Sequence, residues 1–272
     1  MTWLAGLVRT IHPAPTVAVV SLSAALALIL GAESGGVPGW RVALTVGAVL
    51  GSQILTGALN DHVDRERDAV AQPHKPIPAG AVGSRPVLVL AIAGGMLQLL
   101  ASVPLGLLPL VLGALASASA VAYNVWLSRT PLSVLPYLVS FGLLPVWIAA
   151  GIGVNLDRVA VAPLLVGPFA AAAHLANTLR DFEADAALGS RSLVQVLGRR
   201  RSLVVAWMLA MGVGAAVGIA FLLDGALTPL SAVLGVIGGV AVAQGLAGPQ
   251  RLWIGIMLAA VAWTAAWALA TG

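Results

Sequence analysis

Apolar residues run almost unbroken for about 20 positions at a time, the length of a helix that crosses a bilayer. Charged residues collect in the joints between these runs. The pattern predicts nine spans, at about 14–31, 41–59, 86–103, 107–124, 132–152, 160–177, 202–222, 227–246 and 251–270. The stretch 86–124 is too long for one helix, and "SVPLGLLP" (Ser102–Pro109) supplies the break, because proline interrupts the helical hydrogen-bond ladder. Arg9 ahead of the apolar run Val17–Gly31 has the outline of a signal peptide. Eight further spans follow, so this run reads as the first transmembrane helix. The expected fold is an all-α polytopic membrane protein, a single domain over residues 1–272.

Composition supports that reading. Only 9% of the 272 residues are charged and 60% are hydrophobic, whereas a soluble protein carries roughly 25% charge. The 31 glycines suit close helix approach in lipid. The absence of cysteine excludes disulfides, thiolate catalysis and cysteine-based metal sites. The net charge of +4 reads as membrane topology rather than nucleic-acid binding, since the basic residues lie in short loops. Nine spans place twelve of the 14 basic residues on one side and leave Arg41 and Arg158 on the other. That asymmetry puts the N-terminus in the cytoplasm and the C-terminus outside, in the plasma membrane.

Two joints are long, about 60–85 and 178–201, and each opens on an acidic cluster. Asp61, Asp64, Glu66 and Asp68, with Asp181, Glu183 and Asp185, make up seven of the ten acids. Aligning Asn60 with Asn177 gives a repeat: "NDHVDRERDA" matches "NTLRDFEADA" at Asn, Asp, Glu, Asp and Ala. The copies, at 60–69 and 177–186, follow equivalent helices and suggest two parallel halves. At about 100° per residue, Asp61, Asp64 and Asp68 fall within about 60° of one another, and Asn177, Asp181 and Asp185 step by about 40°. Each set is thus a stripe of oxygen donors continuing a helix end.

Like charges so spaced repel, and a hard cation would relieve them. Mg²⁺ suits oxygen-only donors and takes one or two carboxylates with phosphate oxygens. The competing reading is a solvated loop of weak Asp–Arg pairs, which explains one cluster better than two matching ones. Arg67, Lys75, Arg180 and Arg191 flank the acids, and Arg129 ends the fourth span on the same side. Mg²⁺ with Arg and Lys clamps a pyrophosphate leaving group.

At these residues the chain resembles the UbiA superfamily of intramembrane prenyltransferases. "NDHVDRERD" (Asn60–Asp68) fills the signature NDxxDxxxD, and "DFEADAALGSRSL" (Asp181–Leu193) fits DxxxD with its basic tail. The resemblance implies nine helices around a central cavity, capped on the cytoplasmic side by the two Asp-rich loops. It implies that Asn60, Asp61, Asp64, Asp68, Asp181 and Asp185 bind Mg²⁺, and through it a prenyl diphosphate. It also implies diphosphate contacts from Lys75, Arg9 and Tyr123. The lysine that usually follows the tyrosine is missing, since Leu127 and Ser128 stand there, and Arg129 is the substitute.

The chemistry expected is ionisation of a prenyl diphosphate, with the tail in the apolar interior and membrane lipid around it. Trp126, Tyr137, Phe141 and Trp147 are candidates to steady an allylic cation, against ordinary packing or anchoring. Trp40 and Trp253 look like interface anchors. His174, on roughly the same face as Asn177, is a candidate substrate contact. His12 and Asn124 are among the few polar groups of the spans, and no histidine pair has metal-ligand spacing. An acceptor, lipophilic or aromatic and otherwise unknown, would capture the cation. Cyclisation of the prenyl chain without an acceptor is the alternative. A transporter fits less well, because its charges would sit near the midplane.

Overall fold

The apolar runs form helices in the computed structural model, which describes residues 2–271, with side chains at all of these except 268, 270 and 271. A short helix α1 (Trp3–Arg9) precedes α2 (Pro13–Glu33) and α3 (Gly39–Val63), and α4 (Arg65–Ala71) follows one residue later. Next come α5 (Ser84–Ser102), α6 (Leu107–Val125) and α7 (Leu135–Ile152). Then α8 (Ala162–Thr178) leads into two short helices, α9 (Phe182–Ala187) and α10 (Leu193–Leu197). The chain ends with α11 (Arg199–Leu223), α12 (Pro229–Ala243) and α13 (Pro249–Thr271).

The protein is all-α, with no strand among the described residues. Eight helical segments among those residues are long and apolar enough to cross a membrane, and the ninth expected span coincides with the 23-residue α13. In lipid only a helix satisfies each backbone group within its own segment, so this is an integral membrane protein. The expected break in 86–124 is present. α5 stops at Ser102, a 3₁₀ turn covers Val103–Leu105, and Gly106 (φ 112°) redirects the chain into α6. Glycine alone adopts that φ without strain.

The chain divides into two compact units, Met1–Trp126 with Leu143–Ala160, and Leu127–Gly142 with Val161–Gly272. In the first unit α3 and α5 cross at two glycines. A Cβ on Gly51 would lie 2.5 Å from the Gln98 amide nitrogen, and one on Gly94 2.6 Å from that of Leu55. Their bare backbones let the helices touch, which is how lipid-embedded helices gain dispersion contacts. Ala48, Val49, Ala101, Ala116 and Trp147 form the buried core beside this crossing. Here Ser117 Oγ donates to Gln98 Oε1 at 2.7 Å and lies 3.0 Å from Ser52 Oγ, a buried polar group that satisfies itself.

The second unit packs α8, α11, α12 and α13. Its core is built on small side chains such as Ala172, Ala176, Ala206 and Ala210, filled by Leu175, Leu252 and Ile256. Trp263 lies against Gly214 and Gly238 and donates its indole N–H to the Gly235 carbonyl at 3.2 Å. The first unit carries the acidic motif at 60–69 and the second carries the motif at 177–186.

Candidate active site

Both motifs depart from the straight helical stripe expected of them. α3 stops at Val63, and Asp64 (φ −86°, ψ 5°) is the joint to α4. The hydrogen-bond ladder survives the kink: the Asp64 amide donates to the Asn60 carbonyl at 2.9 Å and that of Asp68 to the Asp64 carbonyl at 2.7 Å. In the second motif α8 ends at Thr178, a 3₁₀ turn covers Leu179–Asp181, and α9 carries Asp185. Asp64 and Asp68, and likewise Asp181 and Asp185, stand at i,i+4, where like charges weaken a continuous helix, which fits an interrupted helix at the acids in both places.

The first motif is a compact polar cluster. Asn60 Nδ2 donates to Asp64 Oδ2 at 3.1 Å and to Asn124 Oδ1 at 3.4 Å. Asn124, buried on α6, donates in turn to the Thr56 carbonyl at 2.7 Å. Asp61 is 3% exposed, and its Oδ1 lies 3.0 Å from His12 Nε2 and 3.2 Å from Lys75 Nζ. Lys75 reaches Asp68 Oδ2 at 2.7 Å as well. One ammonium group therefore bridges two buried carboxylates that would otherwise be costly to ionise.

The electrostatics follow from that arrangement. Burial is the largest influence on Asp68 and raises its carboxyl above the ordinary value, against the pull of Lys75. Burial alone would lower Lys75, but the Asp61 charge and the hydrogen bond to Asp68 more than offset it, so its ammonium is held above the ordinary lysine value.

The second motif is more open. Asn177 and Asp181 are exposed and Asp185 is partly so. Arg180 donates to Asn177 Oδ1 at 3.2 Å, and its guanidinium lies 5.0 Å from the Trp253 ring centroid. Trp253 thus supports a motif arginine, a cation–π contact that its reading as an interface anchor did not include. The Arg191 amide donates to the Arg129 carbonyl at 3.2 Å, which ties the tail of the motif to the 3₁₀ turn Leu127–Arg129.

The remaining candidates fall in several places. Arg9 is exposed in the last turn of α1, while Arg67 and Tyr123 are partly buried. In the second unit Tyr137 stacks on His174 (centroids 4.2 Å apart) and on Phe141 (5.9 Å apart). Trp126 is 66% exposed, whereas Trp147 is 1% exposed and fills the space over Gly113 in the first unit's core. Trp147 is thus enclosed in that core, packed with Ala48, Val49, Ala101 and Ala116. His12, noted in the sequence among the few polar groups available to an acceptor, proves to be a partner of Asp61. No local pattern marks it, because 49 positions separate the two residues.

Among the described residues, no three His, Asp or Glu side chains converge as a ready-made metal site. Mg²⁺ does not require one, since it binds through one or two carboxylates, with water and phosphate completing its shell. The Asn and Asp side chains of both motifs offer oxygens, and an ammonium already sits between two of the acids. The residues fit a hard cation.

Residues 20–251 match the UbiA prenyltransferase family. The chain is similar to the digeranylgeranylglyceryl phosphate synthase of Natronomonas pharaonis, 30% identical over 204 residues, 74% of this chain and 72% of that protein. It is also similar to the bacteriochlorophyll synthase 33 kDa chain of Rhodobacter capsulatus, 35% identical over 189 residues, 63% of this chain and 62% of that protein. A UbiA homologue from Archaeoglobus fulgidus, solved bound to GPP and Mg²⁺, shares the fold with a TM-score of 0.72 at 15% identity, covering 98% of this chain and 100% of that one. With a family match over most of its length and a fold shared end to end, the chain belongs to the UbiA prenyltransferase family and is an enzyme of that family.

Proposed function

We propose that this enzyme ionises a prenyl diphosphate with Mg²⁺ and transfers the prenyl group to a lipophilic or aromatic acceptor. The acidic motifs lie at the cytoplasmic face of the plasma membrane, with the N-terminus inside and the C-terminus outside. The observation that carries the reading is the first motif, where Lys75 bridges Asp61 and Asp68 beside the Asn60–Asp64 pair. Such a cluster supplies both the oxygen donors for a cation and a fixed positive charge for a phosphate. Relatives named as a digeranylgeranylglyceryl phosphate synthase and a bacteriochlorophyll synthase chain, in a prenyltransferase family, support prenyl transfer.

Asn60, Asp61, Asp64 and Asp68, and in the second motif Asn177, Asp181 and Asp185, offer oxygens to Mg²⁺. The chemistry Mg²⁺ supplies when bound is neutralisation of the diphosphate leaving group. Asp61 holds Lys75, and Lys75 offers its ammonium to a diphosphate oxygen. Arg9, Arg67, Arg129, Arg180 and Arg191, with the Tyr123 hydroxyl, supply further donors. The C–O bond to the diphosphate breaks, and its electron pair leaves with pyrophosphate. The allylic carbon then accepts an electron pair from the acceptor, which loses a proton. The apolar spans shelter the tail and keep water from the cation. The Tyr137, Phe141 and His174 rings are the aromatic faces proposed for the substrate.

Purified protein in lipid nanodiscs should release pyrophosphate from a prenyl diphosphate only with Mg²⁺ and acceptor. Asp64→Ala and Asp181→Ala should each abolish release, and full activity in either would sink the site. Mass spectrometry of the organic product decides the fate of the prenyl group. A cyclic hydrocarbon or alcohol formed without acceptor would replace transfer by cyclisation.

A further inference from the structure

We propose that His12 is a positioning residue for the diphosphate site, a hook that ties the N-terminal segment to the first acidic motif. The inference rests on the prenyl diphosphate reading above. His12 has φ 53° and ψ 69°, the one positive φ at a non-glycine position among the described residues. Side chains rarely accept that conformation, and it persists where the surroundings over-determine it. Here they do. Pro13 fixes the next residue and needs no amide partner at the start of α2. Thr16 Oγ1 donates to the Ile11 carbonyl at 2.7 Å, and the fully buried Thr10 donates to Leu7. Ile11 also rests directly on α3, since a Cβ on Gly57 would fall 2.9 Å from its carbonyl carbon and oxygen.

One turn beyond Gly57 on the same helix is Asp61, and His12 Nε2 donates to its carboxylate at 3.0 Å. The imidazole is 37% exposed, so filling the core is not its role. The oxygen that accepts from His12 is the same one that accepts from Lys75. The hook therefore sets the carboxylate on which Lys75 is hung. Arg9 lies three residues earlier, and its carbonyl accepts from the His12 amide at 3.1 Å. A competing role is purely geometric, in which His12 only shapes the turn before α2. Glycine, which adopts this conformation freely, would then serve equally well.

That contrast defines the experiment, done on the full chain in nanodiscs with magnesium and inorganic pyrophosphate as the probe. His12→Gly should bind magnesium pyrophosphate about tenfold more weakly in calorimetry, as loss of a supporting hydrogen bond to a site group typically does. Its helical circular dichroism and thermal midpoint should match the wild type. Hydrogen exchange of residues 3–12 should quicken in both His12→Gly and Asp61→Ala. Adding His12→Gly to Asp61→Ala should weaken binding little further, because the two act through one contact. Wild-type affinity in His12→Gly, or full additivity with Asp61→Ala, would overturn the hook. Failure of the wild-type chain to bind magnesium pyrophosphate would instead overturn the prenyl diphosphate reading, and the hook's role with it.

Discussion

At the scale of single residues, the first motif uses its acids unequally. Asp61 and Asp68 are buried and paired to Lys75, while Asp64 is partly open and held by Asn60. Removing the shared ammonium should therefore do more than weaken substrate binding. Lys75→Met leaves two buried carboxylates facing each other without their cation. It should lower stability by about 3 kcal/mol, the cost typical of breaking a buried pair, and abolish pyrophosphate release. Chemical denaturation in detergent and the release assay check the two effects separately. The acids, the lysine and their approximate register were legible in the sequence. That Lys75 would sit between Asp61 and Asp68 was not, because the turn of residues 72–82 returns it to the helix by backbone bonds such as Lys75 to Gln72 at 3.0 Å.

At the scale of elements, small residues decide which helices meet. The α3–α5 crossing depends on Gly51 and Gly94, where any side chain would strike the opposite backbone. Gly51→Leu should part the helices and destabilise the protein by at least the 1–3 kcal/mol typical of overpacking. The thermal midpoint in nanodiscs measures it. The alternative, no shift in midpoint, would mean that α3 and α5 do not pack as described. Helix existence was readable from apolar run length, including the break near Ser102. The helix breaks within both motifs were not, since a periodicity of about 100° per residue treats Asn60–Asp68 as one straight stripe. The rings divide similarly. Trp147 and Trp126 looked alike in sequence, but one is enclosed over Gly113 and the other stands at 66% exposure.

At the scale of the whole molecule, the polar chemistry and the apolar bulk have separate tasks. Stability comes from helices packed in lipid, and the acidic motifs lie at helix ends. Chelation of Mg²⁺ with EDTA should thus stop pyrophosphate release while leaving helical circular dichroism unchanged, and added Mg²⁺ should restore activity. A loss of helix on chelation would show that the cation supports the fold as well. Each compact unit carries one acidic motif.

By itself the sequence determined the solvent of the protein, its helices, the location of its acids and its family. Those properties follow from run length, charge scarcity and local spacing, all of which act along the chain. Tertiary structure alone decided which acid pairs with which base, which tryptophan is core, and that a histidine in a strained turn meets Asp61. Those outcomes depend on contacts between residues such as His12 and Asp61, 49 positions apart, and only packing brings such residues within hydrogen-bond range.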